Sequence, residues 1–145
     1  MAHPRILTDD ARIADLIRGT RRVAVLGIKT EKQADQAAHY VPAFLVQRGV
    51  EVIPVPVYYP EVTAILGRPV IRDLAAVPGP VDLVDVFRKA TDIPAHLADL
   101  KRLRPRAVWF QLGIRNDAAA EELAEAGIDV VQDRCLMVEW RRFGA

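Results

Sequence analysis

The chain has 145 residues, of which 51% are hydrophobic, and its 20 basic side chains balance 19 acidic ones to give a formal net charge of +1. This composition favours one globular domain over residues 1–145 and excludes a disordered chain, which needs fewer apolar residues and more net charge. A single cysteine, Cys135, excludes a disulfide framework and a cysteine-rich zinc module, and the balanced charge argues against nucleic acid or an anionic membrane as partner.

The N-terminal segment, residues 1–21, is expected to be a lead-in followed by a helix at 10–18. Residues 1–12 lack the apolar core of a signal peptide. Elsewhere no apolar run approaches the ~20 residues that a membrane helix needs. We therefore expect a cytoplasmic protein.

Five short segments rich in β-branched residues predict β-strands. Most of them are nearly continuous in apolar residues, which is typical of parallel strands covered on both faces. The predicted strands are 23–26, 50–55, 81–86, 107–112 and 128–131.

Helical patterns separate these strands, although the connection between the second and third strands is less regular. Alternating strands and helices indicate βαβ units. We therefore predict one α/β domain, a three-layer, Rossmann-like, doubly wound, parallel five-stranded sheet with strand order 3-2-1-4-5. The expected helices after the first strand are 34–48, 61–66, 73–77, 95–104, 117–126 and a C-terminal helix within 136–145.

The loop at 27–33 is the first candidate binding segment, because ligands of open α/β sheets bind at the carboxyl ends of the strands. Gly27 allows a tight turn, and free N–H groups at the start of the next helix suit a phosphate. Lys29 and Lys32 add positive charge. A simple strand-to-helix turn with solvated lysines is an equally open interpretation.

Several nucleotide and hydrolase motifs are absent. The dinucleotide fingerprint needs three glycines in the first loop and an acid after the second strand, but this loop has one glycine and Val55-Pro56-Val57 has no carboxylate. NAD binding is therefore less favoured. The sequence also lacks a Walker loop and a Gly-x-Ser-x-Gly elbow.

Other candidate residues follow the later strands. Arg88 can hold a phosphate through two hydrogen bonds, or form a surface ion pair with Asp92. Gln111 offers an amide, and Gly113 keeps the crevice open. Asp85, inside an apolar strand, needs hydrogen bonds from the backbone or a place near the ligand.

His39 and Cys135 each have two open interpretations. His39 lies on a helix near the crevice, and a structural role is favoured over ligand binding. Cys135 is expected at the start of the last helix, where N–H groups and Arg134 would stabilise a thiolate, or as a small buried residue. No nucleophile, base and orienting group come together in the sequence, so we expect no catalytic machinery.

Five segments give the chain a resemblance to a known family. They are Val-Ala-Val-Leu-Gly at 23–27, His-Tyr-Val-Pro at 39–42, Val-Asp-Val-Phe-Arg at 84–88, Trp-x-Gln-x-Gly at 109–113 and Asp-Arg-Cys at 133–135. Over residues 22–141 the chain resembles the small stand-alone CoA-binding proteins. These are Rossmann-like domains similar to the CoA-binding domain of succinyl-CoA synthetase.

The resemblance implies coenzyme A or an acyl-CoA as ligand. Its pyrophosphate would lie on the first loop and the helix that follows, the adenosine between the loops after the first three strands, and the pantetheine toward the fourth and fifth. The CoA-binding residues that we predict are Gly27, Ile28, Lys29, Thr30, Lys32, His39, Pro56, Val57, Phe87, Arg88, Gln111, Gly113 and Cys135.

Two positions depart from the family pattern. Gln36 stands where an arginine is usual, and Pro56 where an asparagine is usual. Either Lys29 or Lys32 supplies the missing charge, or affinity for CoA is weak.

Three further roles are open. They are a thiol-responsive role through Cys135, an accessory role beside an acyl-CoA ligase, and a homodimer formed through Trp140 and Phe143.

Overall fold

The computed structural model describes residues 3–144 and contains one main sheet and one small hairpin. Residues 1, 2 and 145, which belong to the predicted terminal segments, lie outside the described residues. The strands are β1 (Arg22–Leu26), β2 (Glu51–Val55), β3 (Ala64–Ile65), β4 (Arg68–Pro69), β5 (Leu83–Val86), β6 (Ala107–Phe110) and β7 (Asp129–Val131). The helices are α1 (Asp10–Arg18), α2 (Ala37–Gln47), α3 (Leu97–Leu103), α4 (Asp117–Glu125) and α5 (Leu136–Phe143).

The main sheet has the order β2-β1-β5-β6-β7, and every neighbouring pair is parallel. This confirms the predicted doubly wound α/β fold with five parallel strands. Counted along these five strands the order is 2-1-3-4-5, so the predicted order 3-2-1-4-5 is wrong. The chain returns from β2 across the sheet to pair β5 with β1, which leaves β2 as an edge strand.

Two hydrophobic layers cover the sheet. Alternate residues of β1 enter different layers, with Val23 and Val25 on one side and Ala24 and Leu26 on the other. The first layer packs α1, α2 and α5 on the sheet, and the second packs α3 and α4. Trp140 belongs to the first layer and is only 8% exposed. Trp140 is therefore not the exposed apolar residue that the sequence predicts, whereas the homodimer itself stays a prediction.

The connection between β2 and β5 differs from the prediction. Residues 61–66 form no helix but lead into the β3–β4 hairpin, whose two turn residues, Leu66 and Gly67, have φ of 54° and 71°. Positive φ at both central residues matches the twist of a tight hairpin. The helix predicted at 73–77 is a single 3₁₀ turn, Leu74–Ala76.

Helix α2 begins at Ala37, later than predicted. Residues Glu31–Gln33 form a separate 3₁₀ turn, and Thr30 and Gln33 form a reciprocal capping box around it. This turn lengthens the first loop to residues 27–36.

The outer edge of β7 is covered by the N-terminal segment. Ile6 forms a parallel bridge with Val130. The N–H of Leu7 donates to the carbonyl of Val130, and the N–H of Val130 donates to the carbonyl of Arg5, each at 2.8 Å.

Asp82 fixes the start of the sheet. One of its carboxylate oxygens accepts the backbone N–H groups of Arg21 and Arg22, both at 2.8 Å. We expect Asp82→Ala to lower the free energy of unfolding by about 1–3 kcal/mol, because two N–H groups lose a charged acceptor. Urea unfolding would measure this, and an unchanged midpoint would contradict it.

No helix within residues 3–144 has the length and apolar character needed to cross a membrane.

Candidate functional site

The strand order reverses between β1 and β5. From β1 the chain moves outward to β2, and it returns to form β5 on the other side of β1. Such a reversal opens a crevice at the carboxyl ends of the two strands. The loops that begin at Gly27 and at Phe87 therefore flank the candidate site.

Gly27 is required by close backbone packing. It has φ of 85°, and a Cβ added there would overlap the carbonyl oxygen of Phe87. The N–H of Phe87 in turn donates to the carbonyl of Leu26 at 2.9 Å. Gly27 therefore allows the loops after β1 and β5 to pack together. This packing role differs from the approach of a ligand that the sequence predicts for Gly27.

Lys29 lies in the first loop and contacts the start of α2. Its ammonium group contacts the side-chain amide oxygen of Gln36, and its N–H donates to the carbonyl of Ala38 at 3.1 Å. Gln36 is the N-cap of α2 but makes no capping bond with its side chain. A positive charge thus lies beside the N-terminal end of the helix, where anions are stabilised.

Ile28 and Thr30 have structural roles. Ile28 is 1% exposed and belongs to the hydrophobic core. The Thr30 hydroxyl donates to the side-chain oxygen of Gln33 at 2.6 Å. The buried side chain of Ile28 is therefore not available to a ligand.

Glu31 joins the first loop to the hairpin. Its carboxylate accepts the N–H of Leu66 at 2.8 Å and lies 3.4 Å from Nε2 of the buried His39. Burial acts to raise the pKa of Glu31, but the bond from Leu66 and the proximity of His39 bring it below its ordinary value. His39 therefore faces a carboxylate of its own chain.

Arg88 lies in a polar cluster. Its guanidinium donates to Nε2 of His96 at 3.3 Å and to the hydroxyl of Tyr58 at 3.4 Å, and it lies 3.5 Å from the carboxylate of Asp92. Burial, and then the charge of Arg88, lower the pKa of His96. The expected ion pair with Asp92 is present, but the spacing of the sequence did not indicate the bond to His96.

A cleft of about 410 Å³ lies at the carboxyl ends of β1 and β2. Pro56 and Val57 line one side of it, and His96 lines another. Two carboxylates, Asp73 and Asp99, also line it. The sequence pattern marks neither acid, because Asp73 precedes a single 3₁₀ turn and Asp99 lies in α3, so neither directly follows the second strand.

A smaller cleft of about 280 Å³ separates the first loop from the segment after β2. Lys32 lines it from the loop, and Tyr59 and Glu61 line it from the opposite side. Lys32 is exposed, and its side chain is free to turn toward a ligand in this cleft.

Gln111 and Cys135 both lie beyond β6. The side-chain oxygen of Gln111 accepts the N–H of Leu136 at 3.3 Å, so this amide holds the first turn of α5. Cys135 is the N-cap of that helix and is half-buried. Gly113 has φ of 84° and open space around it.

Arg134 does not face Cys135 in the expected way. Its guanidinium donates to the carbonyl of Thr8 at 3.0 Å and lies 3.6 Å from the carboxylates of Asp10 and Glu139. The expectation that Arg134 stabilises a Cys135 thiolate therefore loses its main support.

Asp85 is fully buried between Val25 and Trp109 in the central strand β5. Within residues 3–144 neither of its carboxylate oxygens has a hydrogen-bond partner. The predicted bonds to neighbouring backbone are therefore wrong. Burial raises the pKa of Asp85 well above its ordinary value, which favours the protonated acid.

The structure thus divides the predicted residues into two groups along the crevice. No metal-binding cluster of His, Cys, Asp or Glu occurs in the described part of the chain. The residues beside β1, β2 and β5 are Gly27, Ile28, Lys29, Thr30, Lys32, His39, Pro56, Val57, Phe87 and Arg88, and those beyond β6 are Gln111, Gly113 and Cys135.

Comparisons with known proteins give one family match and several similar proteins. Residues 21–141 match a protein family described as "CoA binding domain". The protein YneT of Bacillus subtilis is 30% identical over 128 residues, covering 88% of this chain and 91% of YneT. A solved structure from Thermus thermophilus has a TM-score of 0.85 and 37% identity, covering 94% of this chain and 99% of that one. A hypothetical protein from Pyrococcus horikoshii has a TM-score of 0.84 and 26% identity, covering 100% and 98%.

Proposed function

Because the chain belongs to the CoA-binding domain family, we propose that it binds coenzyme A or an acyl-CoA at the carboxyl ends of its strands, with no catalysis of its own. The observation that carries this proposal is the position of Lys29 beside the uncapped start of α2. A lysine and free helix N–H groups together suit a pyrophosphate.

The two clefts beside β2 support a site for the adenosine. Apolar groups of Pro56 and Val57 line the cleft where a base would lie, and a carboxylate of Asp73 or Asp99 can accept the 2′-hydroxyl, the one free hydroxyl on the ribose of CoA. Arg88 supplies a second positive charge at the same crevice, and its bonds to Tyr58 and His96 hold it in place.

The pantetheine arm is proposed to run past Gln111 and Gly113 toward Cys135. These residues lie on the far side of β5 from the first loop, so an extended ligand would cross the crevice. In this arrangement the one domain formed by residues 3–144 contacts every part of the ligand.

Calorimetric titration with CoA, acetyl-CoA and NAD tests the proposal directly. We expect one binding site for a CoA species and weaker or no binding of NAD. Absence of heat with both CoA species at sub-millimolar concentration, together with a clear signal for NAD, would overturn it. The carboxylates of Asp73 and Asp99 can also accept ribose hydroxyls of NAD. The NAD titration therefore tests whether the site discriminates between the two ligands.

Lys29→Gln is expected to weaken CoA binding roughly tenfold, because the pyrophosphate loses a charged donor. Arg102→Gln removes one positive charge from an exposed position on α3 and serves as the control. Equal affinities of the two variants would show that Lys29 does not contact the ligand.

A further inference from the structure

A second cleft lies at the opposite end of the sheet from the candidate CoA site. It has a volume of about 320 Å³ and is bounded by the last turns of α1, α2 and α5. Since β1 has five residues and each adds about 3.3 Å, the two sites are separated by roughly 13 Å along the strand. Its lining residues include Ile17, Val50 and Trp140, which form an apolar floor.

Three arginines surround this floor: Arg18, Arg21 and Arg48. Within residues 3–144 none of them pairs with a carboxylate, whereas arginines such as Arg22 and Arg106 do. The nearby acids are engaged elsewhere, because Asp15 pairs with Arg106 and Asp82 accepts backbone N–H groups. The three arginines therefore bring positive side-chain charge to the C-terminal ends of α1, α2 and α5, in a chain of balanced total charge.

Backbone carbonyls hold the guanidinium groups of Arg18 and Arg21 in position and use only some of their N–H groups. Arg18 donates to the carbonyl of Phe143 at 3.1 Å, and Arg21 donates to the carbonyls of Arg18 and Thr20 at 2.9 and 3.3 Å. Each has five N–H groups, so most remain available to a ligand.

Arg48 is oriented by an aromatic ring. Its guanidinium carbon lies 4.5 Å from the ring centroid of Phe44, and that of Arg141 lies 5.2 Å from the same centroid. Stacking fixes the plane of a guanidinium group while leaving its N–H groups free for a bidentate contact. A fork of this kind matches the oxygens of a phosphate.

We propose that this cleft, lined by Arg18, Arg21, Arg48 and Trp140, is a second binding site that takes a phosphate monoester carrying a small apolar group. The arginines bind the phosphate, and the floor receives the apolar group. The site is independent of the proposed CoA crevice, because the two lie at opposite ends of the strands.

Phenyl phosphate is a suitable probe, titrated into the full chain by calorimetry, with the combined fluorescence of Trp109 and Trp140 as a second signal. We expect one site, with the same affinity in the absence and in the presence of saturating CoA. If CoA does not bind, the titration of phenyl phosphate without CoA still tests the second site. Failure of one proposal is therefore distinguishable from failure of the other. Absence of phenyl phosphate binding, or displacement of the probe by CoA, would overturn the second site.

Arginine variants distinguish specific binding in this cleft from non-specific attraction of an anion to positive charge. Arg48→Gln and Arg21→Gln are each expected to weaken the probe roughly tenfold, and Arg102→Gln to leave it unchanged. Arg48→Lys keeps the charge but loses the fork, so it should also weaken binding. Wild-type affinity in Arg48→Lys, or equal losses in Arg48→Gln and Arg102→Gln, would reject the proposal.

Discussion

Replacing Asp85 by asparagine is expected to increase stability at neutral pH, and the gain should grow as the pH rises. Burial raises the pKa of the Asp85 carboxyl in the folded protein. In the unfolded chain the same group loses its proton above a pKa near ~3.9. Between these two pKa values the folded state binds more protons than the unfolded state. The stability of the wild type therefore falls by about 1.4 kcal/mol per pH unit in that window.

The asparagine variant removes this dependence because its amide does not titrate. At low pH the side chains of the wild type and Asp85→Asn are both neutral, so the difference in stability between them should there become independent of pH. Urea unfolding at several pH values between about 4 and 8 would measure the difference in slope. Asp35→Asn, at an exposed position, is the matched control. Parallel pH curves for the wild type and Asp85→Asn would show that Asp85 titrates normally.

Gly27→Ala is expected to cause the largest loss among the glycine variants. The new Cβ would overlap the Phe87 carbonyl oxygen, and an L side chain at φ of 85° is itself strained. We expect the free energy of unfolding to fall by about 3 kcal/mol or more, because the backbone of one of the two loops must move. The proposed CoA site should weaken with it, since the same contact joins its two loops.

Gly127→Ala provides a matched control for this variant. Gly127 has φ of 87°, but no atom lies within 4 Å of the position that an alanine Cβ would take there. Its loss should reflect strain alone, about 1–2 kcal/mol. Urea midpoints and CoA titrations of both variants would be compared. Equal losses of stability would mean that contact with Phe87 costs nothing.

The sequence predicted the positions of the five main strands because their apolar runs are short and bounded by polar segments. Strand order was harder, since it depends on the path between β2 and β5. That path contains the Leu66–Gly67 turn, and the leucine adopts a positive φ that local sequence preferences disfavour. A segment that resembles a short helix thus forms a hairpin.

The candidate site was predictable where it follows directly from strand ends. Gly27, Pro56 and Phe87 come immediately after strands, so the topology brings them together. Asp73 and Asp99 reach the crevice from other segments, and no periodic pattern marks them. The missing partners of Asp85 also depend on packing from several elements, which local sequence does not specify.

The bridge between Ile6 and Val130 has a consequence for self-association. It satisfies the outer edge of β7, which would otherwise offer unpaired backbone groups to another molecule. At the other edge, Pro54 in β2 has no N–H to offer, and its carbonyl accepts the N–H of Ile71 at 2.9 Å. Intermolecular strand pairing is thus hindered at both edges of the sheet, at β7 by the N-terminal segment and at β2 by Pro54. Detaching residues 5–7 from β7 would expose a template for aggregation.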